Sequence, residues 1–323
     1  MDTTIKRLVQ EDLQRVEGEF NKNLDSDVKL ISKIGEHLLG SGGKRFRPMI
    51  LILSTRLCGY EGDRHIPLAS IIEFIHTASL LHDDVVDDAA LRRGHASANT
   101  LWGSEASVLV GDFLFSKSFS LMVKDGDMRI LEVISDACTQ LAEGEIQELI
   151  KTSDLSLAED GYISIITRKT AALISAACRI GAILGGVDAE QETSMGKFGL
   201  NLGIAFQLID DTLDYTSDEE EFGKTIGIDL KDGKVTLPLI HTLQKCTSQE
   251  RRKLEEIFFS DTITPEDFAL VTEMITRHGG TEYTINRAKG FIEQAKRCLV
   301  SFDPSEAKTA ILALADYVVE RRN

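Results

Sequence analysis

Proline is scarce, at 5 in 323 residues, so a proline-rich linker is excluded. Cysteine is no commoner: Cys58, Cys138, Cys178, Cys246 and Cys298 stand far apart, are odd in number and form no CxxC. That pattern argues against a disulfide framework or a zinc cluster, and it fits a reducing cytoplasm. Long apolar runs are also missing. No stretch of about 18 uncharged apolar residues occurs, and the nearest approach, Ala171 to Val187, is broken by Arg179, so no membrane-spanning helix is expected. The first turns carry Asp2, Glu11, Asp12, Glu17 and Glu19, which is not the pattern of a signal peptide. Positive charge is in deficit: 36 Lys and Arg stand against 52 Asp and Glu, a net charge of −16. A chain so acidic lacks the positive field that a nucleic acid or an anionic membrane surface requires, although a local anion site needs only local charge. Strand-like alternation is absent as well, which leaves helical periodicity as the dominant signal.

What is present is a long succession of amphipathic and buried-type helices. The periodicity predicts helices near 4–20, 26–39, 46–58, 67–90, 104–124, 128–151, 158–184 and 188–215. In the C-terminal third, Thr264-Pro265-Glu266-Asp267 and Asp303-Pro304-Ser305-Glu306 read as helix starts. Thr247 to Glu250 is a capping box, and Gly279-Gly280 is a stop. No linker or internal repeat is visible. The reading is therefore all-α, one domain over residues 1–323, a bundle of about a dozen helices around a central cavity. Two segments, Gly40–Lys44 and Ser217–Gly233, resist helix assignment and are rich in glycine and charge.

The chemistry is concentrated beside those segments. Asp83-Asp84-Val85-Val86-Asp87-Asp88 ends an apolar run from Ile71 to Leu81. Residues four apart share a helix face, so Asp83 and Asp87 stack and repel, with Asp84 and Asp88 beside them. A hard divalent cation with oxygen ligands removes that penalty. One such cluster is as readily an ordinary solvated face. A second changes the balance: Asp210-Asp211-Thr212-Leu213-Asp214 repeats the DDxxD spacing after the apolar run Phe198 to Ile209. Two facing carboxylate walls suit Mg²⁺, which is typically held by one or two carboxylates plus substrate phosphates. The basic residues then locate those phosphates. Gly42-Gly43 precede Lys44, Arg45 and Arg47 at a helix start, where exposed N–H groups favour anions. Arg92-Arg93 follow the first cluster, Lys169-Thr170 lie mid-chain, and Lys224, Lys231 and Lys234 follow the second. Each alone is an ordinary surface cation; their placement next to the acid clusters is the informative fact. Arginine can grip diphosphate oxygens through two parallel hydrogen bonds, and lysine acts as a point charge.

GGKRFRP (42–48), LLHDDVVDDAALRRG (80–94), GDFLFS (111–116), RKTAAL (168–173), FQLIDDTLDY (206–215) and FGKTIGIDLKDGKVTLP (222–238) resemble, in order, the motif set of the trans-isoprenyl diphosphate synthases, the polyprenyl synthetases. The resemblance covers residues 42 to 238, with no departure in either aspartate-rich motif; residues 1–40 and 240–323 carry no diagnostic motif. It implies an enzyme that condenses isopentenyl diphosphate head-to-tail with an allylic diphosphate. Three Mg²⁺ ions, partly brought by substrate, are implied between the diphosphate and the two motifs: Asp83 and Asp87 as ligands with Asp84 in support, and Asp210 as ligand with Asp211 and Asp214 adjacent. By the same resemblance, Arg92, Lys169, Lys224 and Lys234 match the grip on the allylic diphosphate. Lys44, Arg47, His76 and Arg93 match the isopentenyl diphosphate site, and Thr170 and Gln207 match polar groups near the forming carbocation. A homodimer with an interface including 104–124, a cytoplasmic location and no stable membrane insertion are also implied.

His76 taken alone is an ordinary core histidine. Glu73 to His76 also spells ExxH, but a di-iron bundle needs a second such pair, and the sequence has none. The product chain is expected to run back along the helix before Asp83, past Ser79 and Ala78 and then Ile75. In the resembling family, bulky aromatics there close the pocket. Small residues here imply a long product, about C35–C50 and centred on the octaprenyl length, as on quinone side chains; a farnesyl or geranylgeranyl length is the alternative. Ala78 and Ser79 could equally serve only close helix packing. Three rival readings remain. A terpene cyclase would carry Ser or Thr where Asp214 stands and would consume an allylic diphosphate alone. A non-catalytic partner subunit of a synthase would lack some of the aspartates, and a helical scaffold would not bind diphosphate with Mg²⁺.

Overall fold

The computed structural model describes residues 3–40, 42–216, 227–260 and 262–321. The all-α expectation holds. The helices are α1 (Thr3–Leu24), α2 (Lys29–Gly40), α3 (Phe46–Leu57), α4 (His65–Val86), α5 (Ala98–Trp102), α6 (Ser104–Asp125), α7 (Met128–Lys151), α8 (Glu159–Ile166), α9 (Ala172–Gly185), α10 (Ala189–Thr216), α11 (Ile228–Lys231), α12 (Leu237–Lys245), α13 (Ser248–Phe258), α14 (Pro265–Arg277), α15 (Gly280–Cys298) and α16 (Glu306–Glu320). A two-residue antiparallel pair, Leu91–Arg92 with His95–Ala96, is the one sheet among the described residues. Its turn residues Arg93 and Gly94 have φ of 53° and 78°, the geometry of a tight hairpin.

The chain gathers into two compact units. The first comprises residues 1–138, 173–199 and 298–314, and the second residues 139–172, 200–297 and 315–323. In the first unit α4 is the central helix, packed by α1, α3, α5 and α6. Its residues from Leu68 to Ile75 are all buried and, apart from Ser70 and Glu73, apolar, which is the pattern of a core helix. Phe20 of α1 stacks on Phe74 of α4 with ring centroids 4.1 Å apart. The carboxylate of Asp12 fastens the same junction, accepting from Arg56 at 2.8 Å and lying 3.1 Å from His65. In the second unit α12 packs on α14 and α8, and Tyr215 stacks on Phe268.

Several sequence boundaries move. α4 ends at Val86 rather than near 90, because Asp88 takes a left-handed φ of 47°. The helix expected over 158–184 is interrupted: Thr167–Ala171 form a turn of π-helix between α8 and α9. Such bulges are commonly found at functional sites. The expected capping box of Thr247 with Glu250 forms, and at the helix start expected at Thr264 the structure adds a second, between Thr264 and Asp267. The last helix starts later than Asp303-Pro304 suggested; Ser305 Oγ accepts from Lys308 N at 3.0 Å and α16 begins at Glu306. α6 is long and apolar enough to cross a membrane by length and composition, a property it shares with core helices of soluble proteins. It packs along α4, where Gly111 admits the ring of His82.

Candidate active site

In the first unit the approach to α3 and the hairpin after α4 together assemble a basic basin. Gly42 has a φ of 80°, and a Cβ on Gly43 would lie 2.7 Å from Arg93 Nη1, so the glycine pair lets the guanidinium come down on the backbone. Arg93 donates to the carbonyl of Gly42. Arg47 Nη1 lies 3.0 Å from His76 Nε2. Arginine has no acceptor, so His76 accepts through Nε2. Burial, followed by the charges of Arg47, Arg93, Arg92 and Arg45, pushes His76 well below the usual imidazole value of 6.5. Burial and its arginine neighbours likewise lower Arg93. This basin brings the expected Arg47, His76 and Arg93 together and adds Arg45, which donates to Glu73 at 3.3 Å. The ExxH pair is therefore used otherwise: Glu73 faces Arg45 and His76 faces Arg47. Lys44 lies exposed beside the basin.

Asp83 and Asp87 are half-buried at the end of α4, one helical turn apart, with Asp87 N bonded to Asp83 O at 2.8 Å. Asp84 is fully buried. Arg92 holds its Oδ1 through both Nη2, at 2.5 Å, and Nε, at 2.7 Å, while Oδ2 has no partner among the described residues. Ala78, Ser79 and Ile75 are buried along the same helix, and Ser79 Oγ donates to His76 O. Ile130, Val133, Ile134 and Ala137 of α7 are buried in the same unit.

In the second unit a cavity of about 110 Å³ is lined by Lys169, Thr170, Gln207, Asp211 and Lys234, all expected from the sequence, together with Glu148. The π-turn presents Lys169, whose Nζ lies 2.7 Å from Glu145 and 2.6 Å from Glu148. Gly144 makes this possible, since a Cβ there would lie 2.6 Å from Lys169 N. Thr170 donates to Gln207 at 2.9 Å, and Gln207 donates to Asp211 at 2.7 Å. Asp211 also accepts from Tyr162. Burial pushes Asp211 up to about 7, against the pull of its two hydrogen bonds, with Asp210 and Glu148 adding to the rise. Asp229 is raised by burial and by Asp214 and Asp211. Asp214 accepts from the backbone of Ile228 at 3.3 Å and of Asp229 at 3.1 Å. Asp210 pairs with Arg321 at 2.7 Å. Lys224 lies outside the described residues.

Sequence reasoning missed Tyr162, Glu145, Glu148, Asp229 and Arg321. Asp229 sits inside an irregular, charge-rich segment and was findable; the others become neighbours only through folding. Among the described residues no three ligating side chains stand ready around one metal position. The donors nevertheless suit a hard cation: they are carboxylate oxygens, and the buried Asp84 Oδ2 is left for a further partner.

Residues 28–275 match the polyprenyl synthetase family. This chain belongs to that family. Octaprenyl diphosphate synthase of Escherichia coli (strain K12) is 40% identical over 321 residues, 98% of each chain. A short chain isoprenyl diphosphate synthase of Methanothermobacter thermautotrophicus is 37% identical over 306 residues, 93% of each. Among solved structures, the polyprenyl synthase of Caulobacter crescentus, complexed with calcium and isoprenyl diphosphate, has a TM-score of 0.96 at 40% identity and covers 99% of this chain and 98% of its own. As a polyprenyl synthetase the chain is a trans-prenyltransferase, and catalysis in the family depends on divalent metal.

Proposed function

We propose that this polyprenyl synthetase condenses isopentenyl diphosphate head-to-tail with an allylic diphosphate, repeatedly and with Mg²⁺, to a long all-trans product of C35–C50 centred on octaprenyl diphosphate. The observation that carries the coupling reading is the basin of Arg45, Arg47 and Arg93 around a neutral His76. It supplies positive charge for a second diphosphate, which a cyclase has no use for. Lys44, Arg47, His76 and Arg93 hold isopentenyl diphosphate there. Asp83 and Asp87, supported by Asp84, and Asp210, with Asp211 and Asp214, are the carboxylates for three magnesium ions. Those ions supply Lewis-acid stabilisation of the departing diphosphate. Lys169, Lys224, Lys234 and Arg92 add fixed positive charge to the same leaving group. Thr170 and Gln207 are the polar groups near the forming allylic cation, and their mutual hydrogen bond supports that reading.

The double bond of isopentenyl diphosphate attacks, and the proton lost afterwards goes to the released diphosphate. His76 is not assigned as the base, because its Nε2 lone pair is engaged by Arg47. Small Ala78 and Ser79, followed by Ile75, leave room for a long chain. The whole chain acts as one synthase domain, as a cytoplasmic homodimer without stable membrane insertion. The exposed apolar residues Leu109, Phe119 and Val123 of α6 support the dimer.

The deciding assay incubates purified protein with farnesyl diphosphate, labelled isopentenyl diphosphate and Mg²⁺, then sizes the dephosphorylated products. A ladder ending near eight units is expected, abolished by EDTA. A ladder ending at three or four units would overturn the long-chain reading and keep the chemistry. No incorporation would overturn the enzyme assignment in favour of a partner subunit.

A further inference from the structure

We infer that Arg321 is a positioning residue that holds Asp210 in place of a metal ion and yields it when the cation binds. The inference rests on the reading of Asp210 as a metal ligand. Arg321 Nη2 lies 2.7 Å from Asp210 Oδ1, and the arginine side chain is 6% exposed against 40% for the aspartate. The guanidinium is anchored independently of that carboxylate. Nη2 also donates to Phe206 O at 2.8 Å, Nε donates to Val318 O at 3.2 Å, and the guanidinium carbon stands 4.0 Å from the Phe206 ring centroid. Phe206 and Asp210 are four apart on α10, so the arginine spans one turn of that helix beside its acidic residues.

This arrangement answers a problem set by the sequence. Asp210, Asp211 and Asp214 crowd one helix end, and without a cation their charges repel. Asp211 is turned to Tyr162 and Gln207, and Asp214 accepts backbone N–H groups. Asp210, the most solvent-facing partner in these contacts, receives a full positive charge. A metal that takes Asp210 through Oδ1, or through both oxygens, must therefore displace a charge-assisted hydrogen bond. Arg321 retains its contacts to Phe206 and Val318 afterwards, so the exchange costs one interaction and leaves the helices packed. The half-exposed Asp210 would be solvated, not stranded, if the arginine were removed.

The test is Mn²⁺ titration followed by electron paramagnetic resonance, with inorganic pyrophosphate present, on the full chain. Arg321→Gln is expected to bind Mn²⁺ about tenfold more tightly than the wild type, the scale of one lost charge-assisted competitor. Arg321→Lys, which keeps the charge but loses the planar fork, is expected to fall between them. Asp210→Asn is expected to weaken binding. If Asp210→Asn weakens binding but Arg321→Gln is unchanged or weaker, the inference fails and the ligand reading stands. If Asp210→Asn binds like the wild type, the ligand reading fails and takes the inference with it. Should Arg321→Gln not fold, Arg321→Lys decides: tighter binding supports the exchange, and wild-type binding overturns it.

Discussion

A histidine surrounded by four arginines is held neutral, and that has a measurable cost. His76 in the folded protein takes up a proton well below 6.5, whereas the unfolded chain takes it near 6.5. The favourable contribution of neutral His76 is complete above that value and is lost as pH falls, because only the unfolded state gains the proton. His76→Gln, which keeps an acceptor for Arg47, should therefore flatten the loss of stability between pH 6.5 and 5.5 by about 1 kcal/mol. Denaturant midpoints measured across that range would show it, and parallel curves for both proteins would contradict the buried neutral form. Two turns further along α4, Asp83 is proposed to share a cation with Asp87. Asp83→Ala should cost at least about two decades of turnover, roughly 3 kcal/mol of barrier. Near wild-type turnover at saturating Mg²⁺ would remove Asp83 from the ligand set.

At the scale of elements, two departures from regular helix bring side chains to the chemistry. The π-turn at Thr167–Ala171 adds a residue to the helical count and, over Gly144, presents Lys169 to Glu145 and Glu148. The left-handed residues Arg45 and Arg93 bend two loops so that their guanidinium groups reach Glu73 and Gly42. α6 carries a different message. Its inner side lies against α4, while Leu109 and Val123 are 66% and 70% exposed, an arrangement that favours association. Replacing Leu109 and Val123 by Glu should halve the mass seen in sedimentation equilibrium. A wild-type protein already sedimenting as one chain, or a double variant still associated, would rule this face out as the interface.

At the scale of the whole molecule the product is set by how far the growing chain can extend before it meets a wall. Relatives with similar overlap include an octaprenyl synthase and a short chain synthase, so family membership alone does not fix length. Ala78 is fully buried on α4, one turn and a residue before Asp83. Ala78→Phe should shorten the product by several isoprene units in the labelled-product assay, with condensation retained. An unchanged ladder would place the growing chain elsewhere.

Much of this was legible in the amino-acid order because it depends on short spacings. Helix content, the capping box at Thr247, the helix start at Thr264, and the stacking of Asp83 on Asp87 all follow from neighbours within one turn. So does the pairing of glycines with the cations that follow them. Tertiary structure decided what depends on distant partners. Tyr162 reaches Asp211 across 49 positions, Lys169 reaches Glu148 across 21, and Asp210 meets Arg321, 111 residues further along the chain. No periodicity encodes such meetings. They are fixed by how helices pack, by the extra residue of a π-turn, and by the few places where a glycine or a left-handed arginine lets two backbones approach.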